Sequence, residues 1–189
     1  RPHVVETRLK RYGLRIKPDV DFGLVNPQDD PRYRHYVDEL IELGGRRGIT
    51  QEAARNMVRT DNTVIAALAL KRGDADAMVC GLEGRFARHL RNVSLIIGVR
   101  KGIKDKDLST LSMLISQRGV VFLTDTYVSV DPTAEEIAEM TILAAEEIER
   151  FGIEPKAALL SHSDFGSRDS PSALKMREAA AILHRIAPH

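Results

Sequence analysis

Two short apolar runs in this chain each lead through a loop into an amphipathic helix, and that order narrows the fold more than any other feature. Residues 75–81, Ala-Asp-Ala-Met-Val-Cys-Gly, read as a buried strand ending in glycine, and residues 86–97 follow with helical spacing. Residues 157–160, Ala-Ala-Leu-Leu, read as a second buried strand, followed by a polar loop over 161–170 and a helix over 172–186. Strands that alternate with helices predict an α/β protein with a largely parallel sheet. In such a sheet ligands bind beyond the carboxyl ends of the strands, so both loops are candidate sites.

The remaining elements follow from spacing and punctuation. Val4, Val5, Leu9 and Tyr12 predict a first helix closed by Gly13. A short strand is expected over 22–26. A helix starting near Pro31 carries Tyr33, Tyr36, Val37, Leu40, Ile41 and Gly44 inward, and Gly45 and Gly48 stop it. Thr50 caps a helix with Ala53, Ala54, Met57 and Val58 inside, and residues 63–71 form the next. Strands over 110–116 and 120–124, joined at Gly119, predict a hairpin and hence a mixed sheet. Thr133 and Glu136 have capping-box spacing ahead of a helix carrying Ile137, Met140, Ala144, Ile148 and Phe151. The charged, glycine-bearing stretch 98–107 reads as a hinge between two lobes, 1–104 and 105–189.

Composition excludes several classes. The 28 Lys and Arg balance 27 Asp and Glu, which argues against a dedicated nucleic-acid-binding domain. An apolar content of 43% excludes a disordered chain. No apolar run reaches the roughly 18 residues of a bilayer span, so no membrane partner is expected. The single cysteine, Cys80, fits a reducing, cytoplasmic setting and reads as a small buried apolar side chain. Six scattered histidines offer no metal-ligand spacing, and neither a dinucleotide-binding nor a P-loop glycine motif is present. Ser161, His162, Ser163 and Asp164 lack a nucleophile elbow, so a hydrolase is disfavoured.

Two groups of residues point to anion binding. Arg85, Arg88 and Arg91 recur every third residue beyond the Gly81–Gly84 turn. Arginine suits bidentate binding of phosphate or carboxylate, and cations at a helix start oppose the dipole unless an anion or an acidic partner sits among them. Ser161, Ser163, Gly166 and Ser167 supply hydroxyls and backbone amides ahead of the last helix. The bland alternatives stand beside these readings: a solvated basic face, and a polar turn that caps itself.

A more specific reading comes from the ordered series Arg46-Arg47-Gly48-Ile49-Thr50, Ala77-Met78-Val79-Cys80-Gly81, Leu90-Arg91, Asp131-Pro132-Thr133-Ala134-Glu135-Glu136-Ile137-Ala138-Glu139, Phe151-Gly152-Ile153-Glu154-Pro155-Lys156, Leu160-Ser161-His162-Ser163 and Lys175-Met176-Arg177-Glu178-Ala179. Over its whole length this series resembles the phosphate acetyltransferase family. The variants Ile115-Ser116-Gln117-Arg118-Gly119 and Leu159-Leu160-Ser161-His162-Ser163-Asp164-Phe165-Gly166-Ser167 are similar to the phosphotransacetylase-like C-terminal domain of large bacterial NADP-dependent malic enzymes.

The resemblance implies a three-layer α/β/α, two-lobed fold of the isocitrate/isopropylmalate dehydrogenase-like type, present as a fragment, with a ligand cleft between lobes. It implies that Arg91 is a family phosphate-binding arginine. It also implies a regulatory domain that binds acetyl-CoA and supports a homo-oligomer. Malate decarboxylation, with NADP and Mg or Mn, would lie in a catalytic portion absent from this chain, so no cofactor is expected here. Two departures count against acetyl transfer: Gly44 stands where active transferases carry arginine, and Cys80-Gly81-Leu82-Glu83-Gly84-Arg85 replaces a hydroxyl-rich loop. The alternatives are a purely structural oligomerisation module and an active phosphate acetyltransferase.

Overall fold

The computed structural model describes residues 2–100 and 108–188, which form parts of two compact units, Arg1–Val99 and Arg100–His189. Most of the expected hinge, residues 101–107, and the expected boundary after Lys104 lie outside the described residues.

The first unit is helical: α1 (Pro2–Arg11), α2 (Tyr33–Gly44), α3 (Gln51–Thr60), α4 (Asn62–Lys71) and α5 (Phe86–Ile96). Helix α1 buries no residue. Helix α2 starts where Asp30 can hold it. The Asp30 carboxylate accepts the Arg32 backbone N–H at 2.8 Å and the Arg32 Nε and Nη2 at 3.0 Å each. The side-chain bonds from Arg32 hold the Asp30 carboxyl below its ordinary pKa, against the upward push of burial. A short 3-10 turn, Gly45–Arg47, then reverses at Gly48, whose φ of +89° suits a residue without Cβ. Thr50 Oγ1 accepts the Ala53 N–H at 3.2 Å and opens α3.

Helix α4 is apolar around most of its circumference and buries Thr63, Val64, Ile65, Ala67 and Leu68. Tyr36, Val37 and Leu40 of α2, Ala54 and Val58 of α3, and Ile96 of α5 complete the core around it. That inner stripe on α2, Gly44 included, is the one its spacing predicts.

In the second unit β1 (Leu111–Ser116) and β2 (Gly119–Thr124) pair antiparallel, Leu111 opposite Thr124 and Ser116 opposite Gly119. This is the hairpin the sequence predicts, with Gly119 at φ +124°. The second unit continues with α6 (Ala134–Arg150), a 3-10 turn (Asp164–Gly166) and α7 (Pro171–Ile186). The capping box forms: Thr133 Oγ1 accepts the Glu136 N–H at 3.2 Å, and Glu136 Oε2 accepts the Thr133 N–H at 2.9 Å. Ala134 and Ile137 of α6 pack on Ala179 of α7, with Leu159, Met176 and Ile182 around them.

Three expected strands do not form. Residues 22–26 make only an isolated bridge between Pro18 and Phe22, and residues 75–81 and 157–160 are irregular. Nor does a parallel sheet form; the described residues hold one two-stranded antiparallel sheet. A strand needs a neighbour's N–H and C=O groups, and an apolar pattern does not supply them. The two segments beyond 22–26 therefore lie open, with Val79 at 98% and Leu160 at 74% exposure. Cys80, expected to be buried, is exposed for the same reason.

Asp125 closes the hairpin to the chain beyond it. Its carboxylate accepts the backbone N–H groups of Ser129 at 2.7 Å, Thr110 at 3.2 Å and Val128 at 3.3 Å. Burial pushes its pKa up, but those bonds outweigh burial and leave it below the ordinary value. A folded-state pKa below the unfolded one gives stability that is present above the ordinary carboxylate pKa and fades as pH falls through the lowered one. Asp125→Asn should therefore lose about 1–3 kcal/mol in urea denaturation at neutral pH. The gap to wild type should shrink in acid.

Candidate anion site

The basic cluster is built on the corner between α4 and α5. Asp61 ends α3 and begins α4, with only 7% of its surface exposed. Its Oδ1 accepts the backbone N–H groups of Thr63 at 3.0 Å and Val64 at 3.4 Å. Its Oδ2 accepts Arg88 Nε at 3.0 Å and Asn92 Nδ2 at 2.8 Å, and Arg88 Nη2 lies 3.0 Å away. Arg88 and Asn92 stand one helical turn apart on α5, so one carboxylate both caps α4 and fastens α5 to it.

That arrangement sorts the three arginines. Arg88 is already neutralised by the acid that the dipole argument calls for, and that acid belongs to this chain. Arg85 is the N-cap, in extended conformation (φ −91°, ψ 132°), so it stands before the helix rather than on its first turn. Arg91 lies on the exposed side of α5. Neither Arg85 nor Arg91 is ion-paired with another described residue, and these two guanidinium groups remain open to an anion.

The loop ahead of α5 turns through two left-handed glycines, Gly81 at φ +100° and Gly84 at φ +102°. His89, in the sequence only one of six scattered histidines, organises this loop. Its Nε2 lies 2.7 Å from the carbonyl oxygen of Glu83, and its Nδ1 lies 2.7 Å from Thr63 Oγ1. A carbonyl only accepts, so Nε2 carries the proton in that bond. The signal available in the sequence was the five-residue spacing from Gly84 to a helical histidine, which by itself specifies no contact.

The serine loop of the second unit directs much of its hydrogen bonding inward. Ser161 Oγ accepts the Ser163 N–H at 3.1 Å, and Ser163 Oγ accepts the Arg168 N–H at 3.1 Å. The Ser167 N–H donates to the Asp164 carbonyl at 2.9 Å, and Gly166 takes φ +76°. Ser161, Ser163 and Gly166 nevertheless border a cleft of about 750 Å³ between α6, the 155–161 segment and α7. Leu159, Leu160, Met176 and Leu183 give that cleft an apolar wall, while Arg177 and His184 supply polar groups. His162 Nδ1 lies 3.3 Å from Ser172 Oγ, and no carboxylate is bonded to that imidazole among the described residues.

The packing at Gly44 bears on one departure from the transferase pattern that the resemblance implies. It is buried in the last turn of α2, and a Cβ there would overlap the Ile49 side chain. An arginine cannot occupy this position while Ile49 keeps its place.

Removing the shared carboxylate should cost more than removing either partner. Asp61→Ala is expected to destabilise the protein by about 2–4 kcal/mol, through a lost cap and unsatisfied buried donors. Arg88→Met should cost clearly less, because that side chain is more than half exposed. Chemical denaturation of the two variants side by side checks the order.

Comparison with known proteins places this geometry. A profile described as phosphate acetyl/butaryl transferase matches residues 3–189. The NAD-dependent malic enzyme of Rhizobium meliloti (strain 1021) is 64% identical over 188 residues, covering 100% of this chain and 24% of that protein. The NADP-dependent malic enzyme of Haemophilus influenzae is 49% identical over 189 residues, covering 100% of this chain and 25% of that protein. The chain thus spans about a quarter of the length of these curated relatives. The EutD phosphotransacetylase structure from Staphylococcus aureus shares the fold, with a TM-score of 0.77 at 22% identity, over 97% of this chain and 54% of that one. The fold is therefore the α/β phosphotransacetylase-like one, and the chain belongs to the phosphate acetyl/butaryl transferase family.

Proposed function

We propose that this chain is the phosphotransacetylase-like C-terminal region of a cytoplasmic bacterial NAD(P)-dependent malic enzyme, where it binds acetyl-CoA as a regulator and supports a homo-oligomer without transferring acetyl groups. The 64% identity to a malic enzyme that the chain covers to a quarter of its length carries the first part. The relatives include both nicotinamide types, so the expectation of NADP widens to NAD(P). Among the described residues no group of three His, Cys, Asp or Glu side chains could hold a metal ion. On this reading the divalent metal and the nicotinamide belong to the rest of the parent protein.

The observation that favours regulation over transfer is the pair Gly44 and Ile49. A Cβ on the buried glycine would overlap Ile49, whose side chain would have to move to admit the arginine that the resemblance associates with activity. Glu83 in the turn before α5 adds a carboxylate that disfavours a phosphate dianion nearby. Arg85 and Arg91 remain to meet an anionic part of acetyl-CoA, while Arg88 is committed to Asp61. The Ser161–Ser163–Gly166–Ser167 turn is a second candidate contact, judged by its own variant. A bound metabolite changes turnover elsewhere only through different affinity for two states of the whole protein.

Isothermal titration of acetyl-CoA into the intact enzyme, and into the same protein ending before residue 1, tests the reading. Binding with altered malate turnover in the intact form alone supports it; equal binding in both forms moves the effector elsewhere and leaves a structural module. Arg91→Ala should weaken binding about tenfold, as expected for one charge-assisted contact, and Ser163→Ala tests the second loop. The intact enzyme should form no acetyl-CoA from acetyl phosphate and CoA. Gly44→Ala should destabilise the fold by about 1–3 kcal/mol through overpacking against Ile49.

A further inference from the structure

The imidazole of His89, on α5, joins the start of α4, 26 positions earlier, to the loop just ahead of its own helix. Thr63, with 3% of its surface exposed, presents Oγ1 to Nδ1 at 2.7 Å. Nε2–H donates to the Glu83 carbonyl at 2.7 Å. With Nε2 protonated, the neutral ring accepts at Nδ1, so the Thr63 hydroxyl donates to it. One tautomer therefore satisfies both contacts, and a methyl group in place of either partner would break the chain of bonds.

The loop packs closely around this contact. A Cβ on Gly84 would sit 3.0 Å from Nε2, so the imidazole would have to give by a few tenths of an ångström, and the φ of +102° at Gly84 is strained for any residue but glycine. A trans peptide points its N–H opposite to its C=O. Because His89 draws in the Glu83 carbonyl, the Gly84 N–H of the same peptide is turned the other way, away from His89. The orientation of that peptide, immediately before Arg85, is thus fixed by a side chain rather than by a strand ladder.

We propose that His89 is the positioning residue of the loop over residues 81–85, holding the Glu83–Gly84 peptide in its left-handed turn so that Arg85 and the loop amides face an anionic ligand. The consequence for ligand affinity rests on the acetyl-CoA reading above; the consequence for the loop does not. Side-chain length separates the two bonds. In His89→Gln the amide reaches the place of Nε2 and keeps a donor for Glu83. In His89→Asn it reaches only the place of Nδ1 and leaves Glu83 without a donor. His89→Leu removes both.

The intact enzyme and the three variants are compared by hydrogen–deuterium exchange over residues 81–85 and by the alkylation rate of Cys80, read by mass spectrometry. Cys80 is exposed and borders the loop, so its rate reports loop opening. Leu and Asn should raise exchange and alkylation severalfold while the melting temperature of the whole protein moves little, and Gln should restore the wild-type pattern. Acetyl-CoA affinity should follow the same order, with about a tenfold loss in the Leu variant for one broken hydrogen bond.

Unchanged exchange in the Leu variant overturns the proposal, and so does equal behaviour of the Gln and Asn variants. A loosened loop with undiminished, Arg91-dependent binding overturns the link to the ligand. If the wild type binds no acetyl-CoA, the functional reading falls, and the exchange data alone still decide whether His89 holds the loop.

Discussion

A carboxylate shut away from water must be surrounded by donors, and Asp61 meets that demand across the α3–α4 corner and α5. Two backbone N–H groups of α4 reach one oxygen; Arg88 and Asn92 of α5 reach the other. The placement of α5 and of the loop ahead of it follows from this choice. It fixes the rotation of α5, which turns Arg88 toward Asp61 and leaves Arg91 facing away from it. It also brings His89 over Thr63, and through His89 it determines the loop that precedes the helix. A lone surface pair contributes little, but this carboxylate also caps a helix and is almost fully buried, which raises the cost of losing it.

The parts legible in the sequence were those whose cause is local. The capping box at Thr133 and Glu136, the Thr50 cap, the α2 stripe and the glycine-linked hairpin all depend on residues within a few positions of one another. The segments around Val79 and Leu160 carried the apolar pattern of strands but not the partner strands that would complete them. The three-residue spacing of arginines was visible as well, yet it could not say that Arg88 turns onto Asp61, 27 positions earlier. The same limit hid His89: its partners are Thr63, 26 positions away, and a backbone carbonyl that no side-chain pattern advertises.

On the proposed reading, family membership and activity separate at Gly44. The chain has the family fold; on that reading Arg91 is a family phosphate-binding arginine, and Gly44, buried and packed against Ile49, stands where the resemblance puts a second one. Packing thus constrains chemistry here: restoring the charge would require making room first. A module retaining one side of an anion site while losing the reactive side is suited to holding a ligand without turning it over. On this account the molecule has kept recognition and given up transfer.

The most direct measurement of that account is a structure of the intact enzyme with acetyl-CoA bound. The account predicts ligand density against Arg91 and Arg85, with Arg88 still paired to Asp61 and the Glu83 carbonyl still held by His89. Density for acetyl-CoA only in a part of the enzyme outside this chain, with Arg91 facing empty solvent, would contradict it.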